Sequence, residues 1–522
     1  MTDPIDPHPA ARSRTPGDVD PPLPPESVLA QYGARVLDGA TAMVTDGQRI
    51  RPTAYRTDWL LARADRLTQL MAPLTAAAKS LGLTIREEPR TVGTVSTGVR
   101  LKIRPAPGKA AVVDAWAVLQ QARAASGSPL RGVGLDHLMF STSSFFGAPY
   151  YSAAPYYSAA PYYSAAPFDG GAIAQYSQPG YGGTQPVAVV QPPPPRTKVP
   201  TRPVVATLDT GCGAHTWLAD GVITDLGLTD PVSGEEKPVG YLKPDPERDG
   251  DLIGPLDGGR DPLAGHGTFI AGLIRQVCPD ADILAVRVIH SDGVIPESSL
   301  ITALEQIVEL ARRHAAGEPG GHRVDVVSLS LGYYHEAPED AATDTALLAI
   351  IDKLGQLGIP VVCAAGNDAT TRRLFPAAFG ERPEGAEGGE RLPVVSVGAL
   401  NPDDSVALFS NSGDWVLRWE PGAALVSTMP PFANGLNSGA TTKDPTGRVR
   451  RSLDLDNFTG AADFVGGFAV GSGTSYATPV FAARVARELL AQARRPQGIP
   501  LDATGAEAVT RGFRALGALL KV

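Results

Sequence analysis

Val204-Val205-Ala206-Thr207-Leu208-Asp209-Thr210-Gly211 is a short apolar run, rich in β-branched residues, that stops at a carboxylate. Because it lacks polar alternation, it reads as a strand buried on both faces, as in parallel sheets covered by helices. Open α/β sheets carry their sites at the carboxyl ends of such strands, so Asp209 is delivered to that edge. Two more runs repeat the plan. Val324-Asp325-Val326-Val327-Ser328-Leu329-Ser330-Leu331-Gly332 passes from apolar to small polar residues, and Pro360 to Ala365 ends beside Asn367.

Three segments supply groups that complement Asp209: His266-Gly267-Thr268-Phe269-Ile270-Ala271-Gly272, Ala364-Ala365-Gly366-Asn367 and Gly473-Thr474-Ser475-Tyr476-Ala477-Thr478-Pro479. Singly, each has a plainer reading as a turn, a loop or a helix cap. Jointly they match one chemistry. A serine hydroxyl is a weak nucleophile near neutral pH, so an imidazole must take its proton and later deliver it to the leaving amine. A buried carboxylate on the other ring nitrogen sets the tautomer and balances the imidazolium, and preformed donors must meet the oxyanion. Ser475, His266 and Asp209 fit the first three roles, and the Asn367 amide with the Ser475 backbone N–H fits the fourth. Gly265 and Gly267 flank His266, and Gly471 and Gly473 precede Ser475, where backbone must approach closely. Ala477, Ala482, Ala483, Val485 and Leu489 follow at near-helical spacing, so a helix starting at Ser475 aims free N–H groups toward the oxyanion.

In this order, the four segments resemble the subtilases, the subtilisin-like serine peptidases, over about residues 203–493. The resemblance implies an α/β fold of three layers around a mostly parallel sheet, and a serine endopeptidase acting through an acyl-enzyme on a protein or peptide substrate. It further implies that Cys278 to Val288 forms a proline-containing turn into a sheet strand, and that Ser330, Leu331 and Gly332 pair with an extended substrate backbone. Ala364, Ala365 and Gly366 would wall the first specificity pocket, which suits an apolar side chain; core packing is the competing reading of the two alanines. The chemistry requires no cofactor or metal; the family leaves room for structural calcium, but no calcium site is identified. Two alternatives stay open: a dedicated maturation protease for one partner, and a non-catalytic interaction or scaffold protein on the same fold. Val480 and Glu420 stand where many members have histidine and alanine, and neither position takes part in proton transfer. The stretch between Asp209 and His266, rich in Asp, Glu, Gly and Pro, reads as an inserted surface loop, and a second long segment runs from about Pro430 to Gly471.

The rest of the 522-residue chain divides by composition. Residues 1–25 are a Pro- and Asp-rich tail expected to be disordered, without the basic-then-apolar layout of a secretory signal. Residues 26–140 read as a small α+β module: a helix capped at Thr57-Asp58 and carrying Leu60, Leu61, Leu67, Leu70, Met71 and Leu74, a strand alternating Val99, Leu101 and Ile103 with basic residues, a helix over Ala110 to Ala125, and a strand over Val133 to Phe140. His137 is read as structural. Residues 141–202 are a linker in which Tyr-Tyr-Ser-Ala-Ala-Pro occurs three times between Tyr150 and Pro167, followed by prolines and glycines that favour extended or disordered chain. Residues 494–522 form a carboxyl-terminal extension. The module is therefore a candidate intramolecular regulator that inhibits, recruits or localises. An excess of acidic over basic residues, 55 against 46, disfavours nucleic acid as a partner. Three cysteines make no disulfide framework, and no apolar run is long enough to span a bilayer, which together point to a cytoplasmic setting.

Overall fold

The computed structural model describes residues 17–21, 24–39, 42, 50–88, 95–141, 184–230, 234–253, 261–337, 345–381, 391–430, 441–443, 446–451 and 466–520. The tyrosine repeat lies outside them.

The amino-terminal module consists of α1 (Glu26–Gln31), β1 (Ala34–Leu37), β2 (Thr53–Arg63), α2 (Leu67–Ser80), β3 (Leu83–Glu87), β4 (Gly98–Pro105), α3 (Ala115–Ser126) and β5 (Val133–Ser141). Its antiparallel sheet runs β5-β2-β4-β3, with β1 also on β2. Leu70, Leu74, Ala77 and Ala78 of α2, with Trp116, Leu119 and Ala122 of α3, pack on Leu60, Leu101, Ile103 and Leu135. The helix expected from Thr57 is in fact strand β2 up to Arg63, and the helix begins at Leu67. Leu60 faces the module core while Leu61 faces the neighbouring domain, so both sheet faces are apolar there and the period-2 pattern disappears from the sequence. The second helix starts at Ala115 rather than Ala110 because the Asp114 carboxylate accepts the Trp116 N–H at 3.1 Å, an N-cap.

The larger domain contains β6 (Thr184–Pro186), β7 (Val204–Asp209), β8 (Val222–Ile223), β9 (Gly227–Thr229), β10 (Glu236–Pro238), α4 (His266–Val277), β11 (Asp282–Arg287), β12 (Val294–Pro296), α5 (Glu297–Ala316), β13 (Val326–Leu329), β14 (Leu331–Gly332), α6 (Ala346–Gln356), β15 (Val361–Ala364), β16 (Val394–Leu400), β17 (Arg418–Pro421), β18 (Leu425–Thr428), β19 (Thr441–Lys443), β20 (Val449–Arg451), β21 (Phe468–Gly471), α7 (Thr474–Ala493) and α8 (Gly505–Leu519). Seven parallel strands form the central sheet in the order β17-β16-β15-β13-β7-β11-β8. Val204, Ala206, Leu208, Val327, Leu329, Val361 and Cys363 face α5 and α6 on one side. Val205, Val326, Val362, Val395 and Val397 face α4, α7 and α8 on the other. Each strand is thus apolar at successive residues because both faces are covered, giving the expected three-layer α/β fold. Helix α8 places Ala515 and Leu516 in this second core, so the carboxyl-terminal extension packs as part of the domain.

Two segments read as free chain are tied down. Residues 184–202 follow the larger domain: β6 pairs with β21, the Thr197 hydroxyl donates to Asp280 at 2.6 Å, and Arg202 pairs with Asp280 at 3.2 Å. Proline-rich chain lacks internal hydrogen bonds and takes these from its neighbour. In the tail, the Thr370 hydroxyl donates to Val19 O at 2.7 Å, and Asp20 pairs with Arg372 at 3.1 Å.

The two units share a seam at β5. Strand β12 adds to β5 over Leu138–Phe140, and β14 adds over Phe140–Ser141, so the module sheet continues into the larger domain. Buried polar groups hold this seam. Glu305 accepts the Thr97 N–H at 2.6 Å, and Asp136 accepts the Ser298 N–H at 3.0 Å and its hydroxyl at 2.9 Å. His137 lies between two carboxylates, with Nδ1 2.7 Å from Glu297 Oε2 and Nε2 2.8 Å from Glu336 Oε2, all three buried. Burial alone would discharge the imidazole; the two carboxylates outweigh it and hold its pKa up at about 10, against 6.5 for a free histidine. The charge on His137 therefore stabilises the docked module fully below about pH 6.5, and this contribution is lost as pH rises through about 10. His137→Ala leaves two buried carboxylates without their cation and is expected to cost about 3 kcal/mol. Denaturant titration in a Ser475→Ala background, repeated from pH 6 to 10, checks both statements: the variant should lose the wild type's alkaline decline.

Candidate active site

Strand β7 delivers Asp209 to the carboxyl edge of the sheet, and α4 begins at His266 beside it. His266 Nδ1 lies 2.7 Å from Asp209 Oδ1, which also accepts the Thr210 N–H at 2.8 Å. Both side chains are nearly inaccessible to water, so the pair is electrostatically strong and the imidazole cannot rotate freely. Gly267 is required for this approach. A Cβ there would sit 2.0 Å from the Gly211 carbonyl oxygen, and Gly265 at φ +87° turns the chain into the helix.

Ser475 lies in the first turn of α7, as its helical spacing predicts. The Ser330 hydroxyl donates to the Ser475 carbonyl at 2.9 Å and ties the turn to the segment between β13 and β14. Asn367 follows β15. Its Oδ1 accepts the Thr474 N–H at 2.9 Å and the Thr474 hydroxyl at 2.8 Å, which orients the amide with Nδ2 on the opposite side. Among the described residues, Asp209 Oδ2, His266 Nε2, Asn367 Nδ2 and Ser475 Oγ have no hydrogen-bond partner although all are buried. Buried polar atoms left unpaired are costly, and these four belong to the residues that the sequence assigns to one chemistry.

The other expected site residues divide into two groups. Ser330 holds the Ser475 turn, while Leu331 and Gly332 offer their backbone edge to β5, the type of pairing expected with an extended peptide. Ala364 and Ala365 are fully buried, and Ala365 belongs to the hydrophobic core. Gly366, at φ +106°, turns the chain toward Asn367.

Residues 201–501, more than half of the chain, match the model of the Subtilase family. The chain belongs to that family. It is 29% identical over 256 residues to an "Intracellular serine protease" of Paenibacillus polymyxa, a match covering 46% of this chain and 63% of the relative. A similar match, 28% identical over 257 residues, covers 46% of this chain and 64% of the "Major intracellular serine protease" of Bacillus subtilis. "Subtilisin E" of Bacillus subtilis is 28% identical over 193 residues, covering 34% of this chain and 42% of that protein. The chain thus spans somewhat under two thirds of the two intracellular relatives and less than half of Subtilisin E. Among the described residues, no helix is long and apolar enough to cross a membrane.

In this subtilase, the stretch between Asp209 and His266 is more than a surface loop. It buries Glu247 and Asp261, and Asp261 accepts the Leu252 N–H at 2.7 Å. No spacing rule singles out Glu247 among the many acidic residues there. Tyr476, whose ring centroid lies 5.2 Å from that of His266, was likewise legible only as part of a motif. The described residues contain one group with metal-ligand chemistry, His137, His335 and Glu336. Both His137 nitrogens lie within hydrogen-bond distance of carboxylates. Cys212, Cys278 and Cys363 are all free thiols.

Gly267→Ala should displace the His266 turn from Asp209. It is expected to destabilise the protein by about 1–3 kcal/mol or more, the usual cost of overpacking, and to lower the thermal midpoint measured by differential scanning fluorimetry.

Proposed function

We propose that this subtilase is a serine endopeptidase that cleaves protein or peptide substrates through an acyl-enzyme. The observation that carries this reading is the set of four unpartnered buried atoms around a 2.7 Å Asp209–His266 contact. Asp209 holds His266 through Nδ1, leaving Nε2 to take the Ser475 proton as Oγ attacks the substrate carbonyl. The tetrahedral oxyanion is met by Asn367 Nδ2 and the Ser475 backbone N–H, and His266 then protonates the leaving amine. Water repeats the sequence on the acyl-enzyme. Ser475→Ala should abolish both peptide hydrolysis and labelling by a fluorophosphonate probe, with peptide mapping placing the wild-type label on Ser475. Retained hydrolysis in that variant would reject the assignment. Asn367→Ala is expected to lower kcat by about 100- to 1000-fold with a smaller change in KM, as for loss of an oxyanion donor.

The amino-terminal module is proposed to regulate this site from within the chain. Pairing of β5 with β14 favours inhibition over recruitment, because Phe140 and Ser141 take up the strand edge that an incoming peptide needs. The Ser141 hydroxyl reaches Ser330 O at 3.4 Å, beside the Ser475 turn. On this reading, a fragment beginning near Thr201 cleaves small peptides faster than the intact chain, and adding residues 26–140 in trans slows it. Equal rates for the two forms would exclude inhibition.

A further inference from the structure

We infer that Glu247 is a positioning residue for the proposed Asp209–His266–Ser475 chemistry, a buried second carboxylate that accepts the Thr210 hydroxyl hydrogen bond and leaves Asp209 to His266. This inference rests on the peptidase reading above.

Glu247 is 2% exposed and accepts from three donors that belong to the segments carrying Asp209 and His266. The Thr210 hydroxyl makes a short bond to Oε1, the Gly267 N–H reaches Oε1 at 3.1 Å, and the Thr268 hydroxyl donates to Oε2 at 2.5 Å. Thr210 and Gly267 adjoin Asp209 and His266 in sequence, so one carboxylate holds together the end of β7 and the start of α4. The Gly267 N–H also donates to Thr210 Oγ1 at 2.8 Å, and the Gly213 N–H donates to Thr268 Oγ1 at 2.7 Å. Each threonine oxygen therefore already receives a backbone hydrogen, and each hydroxyl proton points elsewhere.

Thr210 has one proton and two carboxylates within reach. Asp209 Oδ1 is 3.1 Å from its oxygen, and Glu247 is much closer, so the proton goes to Glu247. The Thr268 hydroxyl, at 2.5 Å, likewise spends its proton on Glu247. Asp209 Oδ1 is then left to His266 and the Thr210 N–H. With Glu247 absent, the Thr210 proton would turn to Asp209 and weaken its hold on the imidazolium.

The loop that carries Glu247 is itself fixed. Its N–H donates to Asp245 Oδ1 at 3.1 Å, Asp245 pairs with Arg287 at 2.5 Å, and Arg287 Nε donates to Thr210 O at 3.0 Å. The titratable and charged groups around Glu247 are thus Asp209 from β7, Cys212 after it, His266 from α4, Asp245 from its own loop and Arg287 from β11. Burial pushes the Glu247 carboxyl above the usual carboxylate range and the Asp209 charge adds to this, while the Thr210, Thr268 and Gly267 donors pull it back.

The test compares full-length wild type, Glu247→Gln, Thr210→Val and the double variant, with Ser475→Ala as the blank. The second-order rate of fluorophosphonate reaction at Ser475 and kcat/KM for a chromogenic peptide are measured across pH, and thermal midpoints establish that each variant is folded. Glu247→Gln keeps the shape and removes the charge. It is expected to lower both rates about tenfold or more and to move their acid limb to lower pH by about half a unit or more, because Asp209, now shared with the Thr210 hydroxyl, holds the imidazolium less tightly. Since Glu247 acts partly through Thr210, the double variant should lose less than the product of the single losses. A folded Glu247→Gln protein with wild-type rates and an unmoved acid limb overturns the proposal. So does a lowered rate with an unmoved limb, which would mean a purely structural role. A wild type that is never labelled at Ser475 instead overturns the peptidase reading, and this inference with it.

Discussion

The hydrogen bond between His266 Nδ1 and Asp209 Oδ1 joins two groups that have both been withdrawn from water. Burying a carboxylate is costly unless its oxygens find donors, and burying an imidazole leaves its second nitrogen in search of a partner. Much of the surrounding architecture answers those two demands. Strand β7 ends where the Thr210 N–H can turn back onto Asp209, and helix α4 starts where Gly267 lets its backbone approach Gly211. His266 Nε2 is left without a partner among the described residues.

The same accounting holds farther from the site. Glu420, in a position where many subtilases have alanine, is buried on the outermost strand β17 and is matched by Arg418 at 2.9 Å and Arg484 at 3.0 Å. Asp325 accepts the Val204 N–H at 2.8 Å and pairs with Arg323 at 3.0 Å, closing the start of the strand that carries Asp209. Paired in this way, such groups add less to net stability than to the choice of one arrangement, since a shifted register would strand a charge in the core.

The seam between the module and the subtilase domain combines strand addition with buried charge. Main-chain pairing of β5 with β12 and β14 is insensitive to side-chain identity, whereas the His137, Asp136 and Glu305 contacts demand one register. The module therefore docks in a defined position along β12 and β14.

The covered sheet, the order of the four motifs and the helix behind Ser475 were all legible in the sequence, because local hydrophobic runs and glycine positions report strand burial and close backbone approach directly. Family membership followed from the same residues. The sequence also placed the module's second helix and its last strand to within a few residues. It misread Thr57 to Arg63 as helix, because a strand buried on both faces carries no period of its own. Only the tertiary structure decided that Glu247 stands behind Asp209, that His137 joins two carboxylates from the other domain, and that the proline-rich residues before β7 lie bound rather than free. Each of these depends on contacts between residues distant in sequence, and the physical requirement they satisfy, a partner for every buried charge or hydrogen-bonding group, leaves no mark on the local pattern of residues.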